Sequence, residues 1–429
     1  MDELATLRIR TLATGGDAVG HPEPPVQGAA ATWFVADALP GERVVVRPRK
    51  LARNHVVAEL VEVLEPSADR ATPPCPLAGV CGGCQWQHVA PAAQGPLKLA
   101  IVKDALRGLP VTPTLAPVAP DDDGLHYRRR ARLHYERRDD TLVLGFHRRR
   151  SHAIVDVQRC PVLVPPLDHA IARLRRAAAV LPEQGELLLL SDGKRVVAGL
   201  PGVRATDEVR ARLSECLDRT LVGIELRGGR SRGRVGEPLL ALDGSAALPP
   251  MPASAFVFAQ ARAEGNRAMV RHVVVRAKPH GQRVLELYAG AGNFTRALAK
   301  VAQRVWTCDD DREAVSLLRK LAEAEELPIN AKHGDVAALL PRIAAGETRY
   351  PVVVADPPRA GLGRAAAKAL AQVATERIVL VACDVSTLAR DLATLVEHGW
   401  RVADVTVFDL MPMTAEVEVV ATLLRAGAG

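Results

Sequence analysis

The chain has 429 residues, 48% of them hydrophobic and 24% charged, which is enough for two or three packed domains and too apolar for a disordered chain. Its formal net charge of +7 suits a polyanionic partner without requiring one. No apolar run, Glu186–Ser191 and Ile378–Ala382 included, is long enough to span a bilayer, and Met1–Arg10 lacks the apolar core and small-residue cleavage site of a secretory signal; a soluble, cytoplasmic protein away from membranes is expected.

Residues 1–65 contain short alternating stretches at Leu7–Arg10, Trp33–Val35, Val44–Val46 and Val56–Leu64, punctuated by Gly15-Gly16-Asp17 and Pro40-Gly41-Glu42. Short strands broken by glycine and proline predict a small antiparallel barrel. Such a barrel can grip RNA or act only as a docking scaffold, and the pattern does not choose.

Residues 66–250 hold a cysteine group and the densest basic stretch. Seven cysteines in a cytosolic chain do not suggest a disulfide framework. Cys75, Cys81 and Cys84 form C-x5-C-x2-C in a loop rich in glycine and proline, and Cys160, followed by Pro161, is the nearest candidate for a fourth thiolate. Four thiolates fit either a 4Fe-4S cluster or a structural zinc, and the asymmetric triplet with a distant Cys-Pro favours the cluster. Between these cysteines, Tyr127–Tyr135 and Phe146–Arg150 interleave arginines with aromatic and histidine rings. Guanidinium groups clamp phosphates and planar rings stack on unpaired bases, so the pattern points to RNA, with a solvated basic face as the alternative.

From residue 251 to 429, apolar strands alternate with helical segments, as in a doubly wound parallel sheet. Arg283–Tyr288 reads as the first strand, leading into the glycine turn Ala289–Phe294 and a helix through Lys300; Arg304–Cys308 then ends in Asp309, placed to accept from the ribose hydroxyls of a nucleoside cofactor. Asp335 is expected near the adenine at the end of the third strand, and this spacing, with no second glycine fingerprint, favours S-adenosylmethionine over a dinucleotide.

The strand Pro351–Ala355 delivers Asp356-Pro357-Pro358-Arg359 to the carboxyl edge. The strand Ile378–Ala382 ends at Cys383, with Asp384 opening a loop before a helix near Thr387. Alone, Cys383 is equally a nucleophile or a small buried residue. Glu418, on a closing antiparallel hairpin, is expected at the same crevice, and together the two make a specific chemistry sensible. Carbon 5 of uracil is a weak nucleophile. Attack of a Cys383 thiolate on carbon 6 would make carbon 5 nucleophilic, and Glu418 would then remove the carbon 5 proton, with Asp356 and Arg359 orienting the ring.

With these residues in view, the chain resembles the RNA uracil-5-methyltransferases, in particular the iron-sulfur branch acting on 23S ribosomal RNA, over nearly its whole length. The resemblance implies a multidomain α/β protein with an amino-terminal TRAM barrel of the OB type, a central α+β iron-sulfur domain binding RNA, and a carboxyl-terminal Rossmann-like methyltransferase domain. Phe258-Ala259-Gln260 stands where the family has Phe-x-Gln. The resemblance implies cofactor roles for Gln260, Tyr288, Asn293, Asp309, Asp335 and Asp356, cluster ligation by Cys75, Cys81, Cys84 and Cys160, Cys383 as nucleophile and Glu418 as base. Four positions depart from the family pattern: Arg262 replaces Asn, Asp384-Val385 replaces Asn-Pro after the nucleophile, and Glu416 replaces His. The same reaction on transfer RNA, or an RNA-binding iron-sulfur protein with another methyl acceptor, is the alternative; a monomer is the default expectation.

Overall fold

The computed structural model describes residues 4–24, 32–117, 122–139, 141–243, 248 and 250–427. Residues 1–3, part of the stretch read above for a secretory signal, and residues 428–429 lie outside the described residues.

Strands β1 (Ala5–Leu12), β2 (Ala18–Pro22), β3 (Thr32–Val35), β4 (Arg43–Leu51) and β5 (His55–Glu65) close into a barrel in the order β1-β2-β3-β5-β4. Leu7, Ile9, Val44, Val46, Val56 and Ala58 point inward and are buried, the period of two that a half-buried strand requires. The expectation of an antiparallel barrel needs one correction: β3 and β5 run parallel, with Thr32 opposite His55. A closed ring of five strands cannot reverse direction at every neighbour, so one pair must be parallel.

Helix α1 (Pro91–Ala105) belongs to two cores at once. Ala93 and Ile101 pack with the barrel, and Val102 packs with the carboxyl-terminal sheet. The short β6 (Thr114–Leu115) then joins that sheet as its edge strand, parallel to residues 406–407.

The central layer contains β7 (Arg130–Arg138), β8 (Thr141–His147), β9 (Ile154–Asp156), β10 (Gln184–Ser191), β11 (Val196–Pro201), β12 (Leu221–Gly228) and β13 (Ser231–Gly236) in the order β13-β12-β11-β10-β7-β8-β9. Helices α2 (Pro165–Leu174) and α3 (Asp207–Ser214) seal one face with Leu167, Ile171, Leu174 and Leu213. The hairpin of β14 (Leu240–Leu242) and β15 (Met251–Ala253) leads out of this layer.

The last layer is a Rossmann-like sheet. Its elements are α4 (Ala263–Ala277), β16 (Arg283–Leu287), α5 (Thr295–Ala299), β17 (Arg304–Asp309), α6 (Arg312–Ala324), β18 (Ile329–His333), α7 (Val336–Ala345), β19 (Tyr350–Ala355), α8 (Gly363–Val373), β20 (Ala374–Ala382), α9 (Val385–Glu397), β21 (Trp400–Phe408) and β22 (Glu418–Arg425). Strand order is β18-β17-β16-β19-β20-β22-β21-β6, with β16 to β20 parallel and β22 antiparallel to β20. The strands are near-continuous apolar runs because helices cover both faces. Order reverses between β16 and β19, and this switch point opens the crevice at the carboxyl ends of the strands where such sheets bind ligands. Among the described residues no helix is long and apolar enough to cross a membrane.

Candidate active site

The turn after β16 is built for close approach. Tyr288 has φ of +61° and Gly292 of +101°, and a Cβ on Gly292 would meet Leu318 at 2.6 Å, so only glycine fits there. Asp309, buried at the end of β17, accepts from the Gly290 amide at 2.7 Å and the Asp311 amide at 2.8 Å. The carboxylate expected to serve a ribose therefore also ties the glycine turn to the next strand. Burial, first of all, holds its pKa above the ordinary range. Asp335 caps α7, accepting from the Ala337 amide at 2.9 Å, and it stands close enough to Tyr288 to help raise that phenol, whose shift burial dominates. The helix after the turn spans Thr295–Ala299, one residue short of the expected end at Lys300, which caps it; residues 289–292 close a tight turn before it, Gly292 donating to Ala289 at 2.9 Å.

One residue escaped the sequence reading. Glu286 is 1% exposed, neither carboxylate oxygen makes a hydrogen bond, and burial pushes its pKa up to about 8, with Asp356 and Asp309 adding to the shift and the neighbouring Thr295 opposing it. The signal was a lone carboxylate inside the apolar run Val284-Leu285-Glu286-Leu287.

Cys383 and Glu418 come together through the sheet itself. Ala382 pairs with Val419 across β20 and β22, so Cys383 and Glu418 occupy the next position of that ladder. Both line a cavity of about 270 Å³ with Gln260, Phe258, Arg359, Glu416 and the arginines Arg128, Arg130 and Arg132, room for a single base. Burial pushes the Cys383 thiol up to about 11, with Glu418 adding to the shift and Arg359 opposing it. Burial also raises Asp356 and Glu418, each reinforced by a neighbouring carboxylate. Arg359 bonds Glu416 at 2.6 Å across the mouth of the cavity. Asp384 departs from the expected loop: α9 begins at once at Val385, and Asp384 caps it by accepting from the Thr387 amide at 2.8 Å. Asp is as good a cap as the Asn it replaces.

A groove of about 790 Å³ continues from this cavity past Arg128, Arg132, His134, Arg148 and His152 to Gly15 and Asp17 of the barrel. The basic runs divide by role. Arg129 is buried and grips Asp243 through both terminal nitrogens at 2.9 and 2.8 Å while donating to the Gln260 carbonyl at 2.9 Å. Asn266 continues the chain, reaching Asp243 at 3.4 Å and exchanging bonds with Asn293 at 2.8 and 3.0 Å. Two predicted cofactor residues, Gln260 and Asn293, are thus held from behind by one buried polar relay. Arg149 and Arg150 bond Asp37 and Asp17 of the barrel, so they dock that domain.

Cys75, Cys81, Cys84 and Cys160 line one cavity with Arg128, Phe146 and Gln87. Burial raises the thiols of Cys81 and Cys84 and pushes that of Cys160 up to about 11. The Cys75 amide donates to Gln87 at 3.1 Å, and the Cys160 amide to Asp168 at 3.1 Å. Among the described residues no three His, Cys, Asp or Glu side chains are grouped to hold a single metal ion.

A family model described as tRNA (Uracil-5-)-methyltransferase matches residues 253–426. The chain is 35% identical over 412 residues to the 23S rRNA (uracil(1939)-C(5))-methyltransferase of Chromohalobacter salexigens, covering 92% of this chain and 85% of that one. To the protein of the same name from Vibrio cholerae it is 31% identical over 414 residues, 92% and 91% of the two chains. Among solved structures, the Pyrococcus abyssi tRNA (uracil-54, C5)-methyltransferase in complex with S-adenosyl-L-homocysteine matches with a TM-score of 0.76 at 22% identity, over 98% of this chain and 99% of that one. The fold is therefore shared over nearly the full length.

Proposed function

The chain belongs to the RNA uracil-5-methyltransferase family and is an S-adenosylmethionine-dependent enzyme, and from that premise we propose that it methylates carbon 5 of one uridine in 23S ribosomal RNA through a covalent Cys383 adduct. The observation that carries the mechanism is the placement of Cys383 and Glu418 side by side in one cavity lined by the arginines of the basic strand.

In this reading the target uridine leaves its stack to enter the cavity, with its flanking phosphates along Arg128, Arg132 and Arg148 in the groove. Gln260, Tyr288, Asn293, Asp309, Asp335 and Asp356 hold the donor at the switch point. S-adenosylmethionine supplies an electrophilic methyl group on a cationic sulfur. The Cys383 thiol gives its proton to solvent, the resulting thiolate adds to carbon 6, and the electron pair of the 5,6 double bond moves to an enolate that Arg359 faces. Carbon 5 would take the methyl group as its bond to the sulfonium sulfur breaks, leaving a neutral thioether. Glu418 then accepts the proton from carbon 5, the double bond re-forms, and the Cys383 thiolate leaves. Asp356 and Glu418, both raised by burial and by neighbouring carboxylates, are poised to ionise beside a positive charge, which the sulfonium carries.

The acceptor is assigned to 23S RNA because the relatives from Chromohalobacter salexigens and Vibrio cholerae, at 35% and 31% identity, carry that activity in their names, whereas the transfer RNA enzyme, at 22%, shares the fold. We infer that Cys75, Cys81, Cys84 and Cys160 hold a 4Fe-4S cluster. Support comes from four thiols that line one half-buried cavity, in which partial burial favours neutral thiols until a cation draws out the thiolates. The cluster would cross-link the loop of residues 75–84 to Cys160; the methylation needs no electron transfer. One chain supplies every group in this scheme, so we take a monomer as the working unit.

The test is nucleoside mass spectrometry of unmodified 23S and transfer RNA after incubation with labelled S-adenosylmethionine, using protein prepared without oxygen and assayed for iron. Labelled 5-methyluridine in 23S RNA alone, from iron-containing protein, is expected. Label in transfer RNA only would overturn the acceptor, and zinc in place of iron would overturn the cluster.

A further inference from the structure

The loop that precedes Glu418, residues 409–416, is held from behind by a side chain that has no ordinary place in a protein core. Lys98, on α1, is completely buried. Its ammonium bonds Asp409 at 2.6 Å and the Met411 carbonyl at 3.0 Å, and the Asp409 side chain is 6% exposed. One helical turn earlier, Gln94, 1% exposed, accepts from the Met413 amide at 2.6 Å and donates to the Val89 carbonyl at 3.1 Å. Trp86, two residues past Cys84, donates its amide to the Met413 carbonyl at 2.9 Å, and the Tyr127 hydroxyl donates to the Pro412 carbonyl at 2.9 Å. These contacts grip successive peptide groups of a loop in which Met413 takes a left-handed φ of +63°, a conformation that persists only when its surroundings enforce it.

Stability does not explain this arrangement. A buried lysine and aspartate lose their hydration, and a well-packed apolar pair often serves stability as well or better. An apolar pair could not hold the Met411 carbonyl or set the turn. The loop so fixed lines the cavity with Leu410, Met411 and Glu416 and delivers Glu418. We propose that Lys98 and Gln94 are positioning residues that set the loop 409–416 and so aim Glu418 at the proton on carbon 5 of the adduct. This rests on the roles given to Cys383 and Glu418 above. It also gives the cysteine loop a mechanical part, since the run from Cys84 through Trp86 into α1 joins the thiol cavity to the loop that leads into Glu418.

If Lys98 acts through Glu418, its loss slows release of the adduct and leaves RNA binding intact. The experiment compares parent, Glu418→Gln and Lys98→Met holoproteins on 23S RNA, measuring kcat, KM and the share of protein covalently attached to RNA after denaturation. The double variant Lys98→Met/Asp409→Leu leaves no buried charge unpaired and supplies folded protein if the single variant does not. For the Lys98 variants kcat is expected to fall ~100-fold, the cost of a small misplacement of a reacting group, with little change in KM and with adduct accumulating as in Glu418→Gln. Adduct in Glu418→Gln but none in the folded Lys98 variants, or a KM rising as far as kcat falls, overturns the inference alone. No adduct in Glu418→Gln itself overturns the role of Glu418 and the inference with it.

Discussion

At Glu286 a carboxyl group is buried with both oxygens unbonded, and its protonation is linked to stability. The unfolded chain releases this proton near the ordinary value of 4.5, whereas burial in the fold pushes it up to about 8. Between those limits the folded state binds more protons than the unfolded one, so stability is full at low pH and is lost as pH rises through the folded value. Glu286→Gln removes a group that must ionise in the core. It is expected to gain on the order of 2–4 kcal/mol at about pH 8.5 and almost nothing near pH 4.5, read from denaturant unfolding at the two values; the same gain at both would show that ionisation is not the cause. Cys383 shows the same physics, because burial, first of all, pushes its thiol up to about 11. At this scale the sequence marked residues at strand ends, such as Asp309, Asp356 and Cys383, which the parallel sheet gathers along one edge. It was silent on Glu286, whose importance lies in what surrounds it.

Among elements, the glycine turn and the strands around it were legible because each is a local pattern of a few residues. α1 was not. It carries Pro91 and Pro96 and buries residues against two cores, which erases the one-sided periodicity that marks a surface helix. β6 is two residues long and pairs with a strand almost three hundred positions away, a contact no local window contains. The arginine run 128–132 was visible as a run, but only the fold separates Arg129, turned to Asp243 and Gln260, from Arg128, Arg130 and Arg132, which line the cavity. Arg129→Lys keeps the charge and loses the two-pronged grip. We expect roughly tenfold weaker binding of S-adenosylmethionine by calorimetry, about the worth of one charged hydrogen bond, with the affinity for RNA little altered. Weaker RNA binding with unchanged cofactor binding would instead make Arg129 a phosphate contact.

Across the whole molecule, the three layers converge on one basic groove and the cavity at its end. The barrel is docked by Arg149 and Arg150 through Asp37 and Asp17 and is plugged by Trp86, which gives it a structural tie to the cysteine loop as well as a face on the groove. The net charge of +7 is a weak sign of a polyanion by itself; its placement along the groove is what supports RNA. The central claim is that Cys383 joins covalently to the acceptor uridine, and RNA carrying 5-fluorouridine tests it most directly, because fluorine on carbon 5 cannot be removed as a proton. Incubation with protein and S-adenosylmethionine should give a complex that survives denaturation, with the methylated nucleotide mapped by mass spectrometry to the peptide containing Cys383. Methylation of ordinary RNA with no trapped complex, or a trapped complex that persists in Cys383→Ala, would contradict the account.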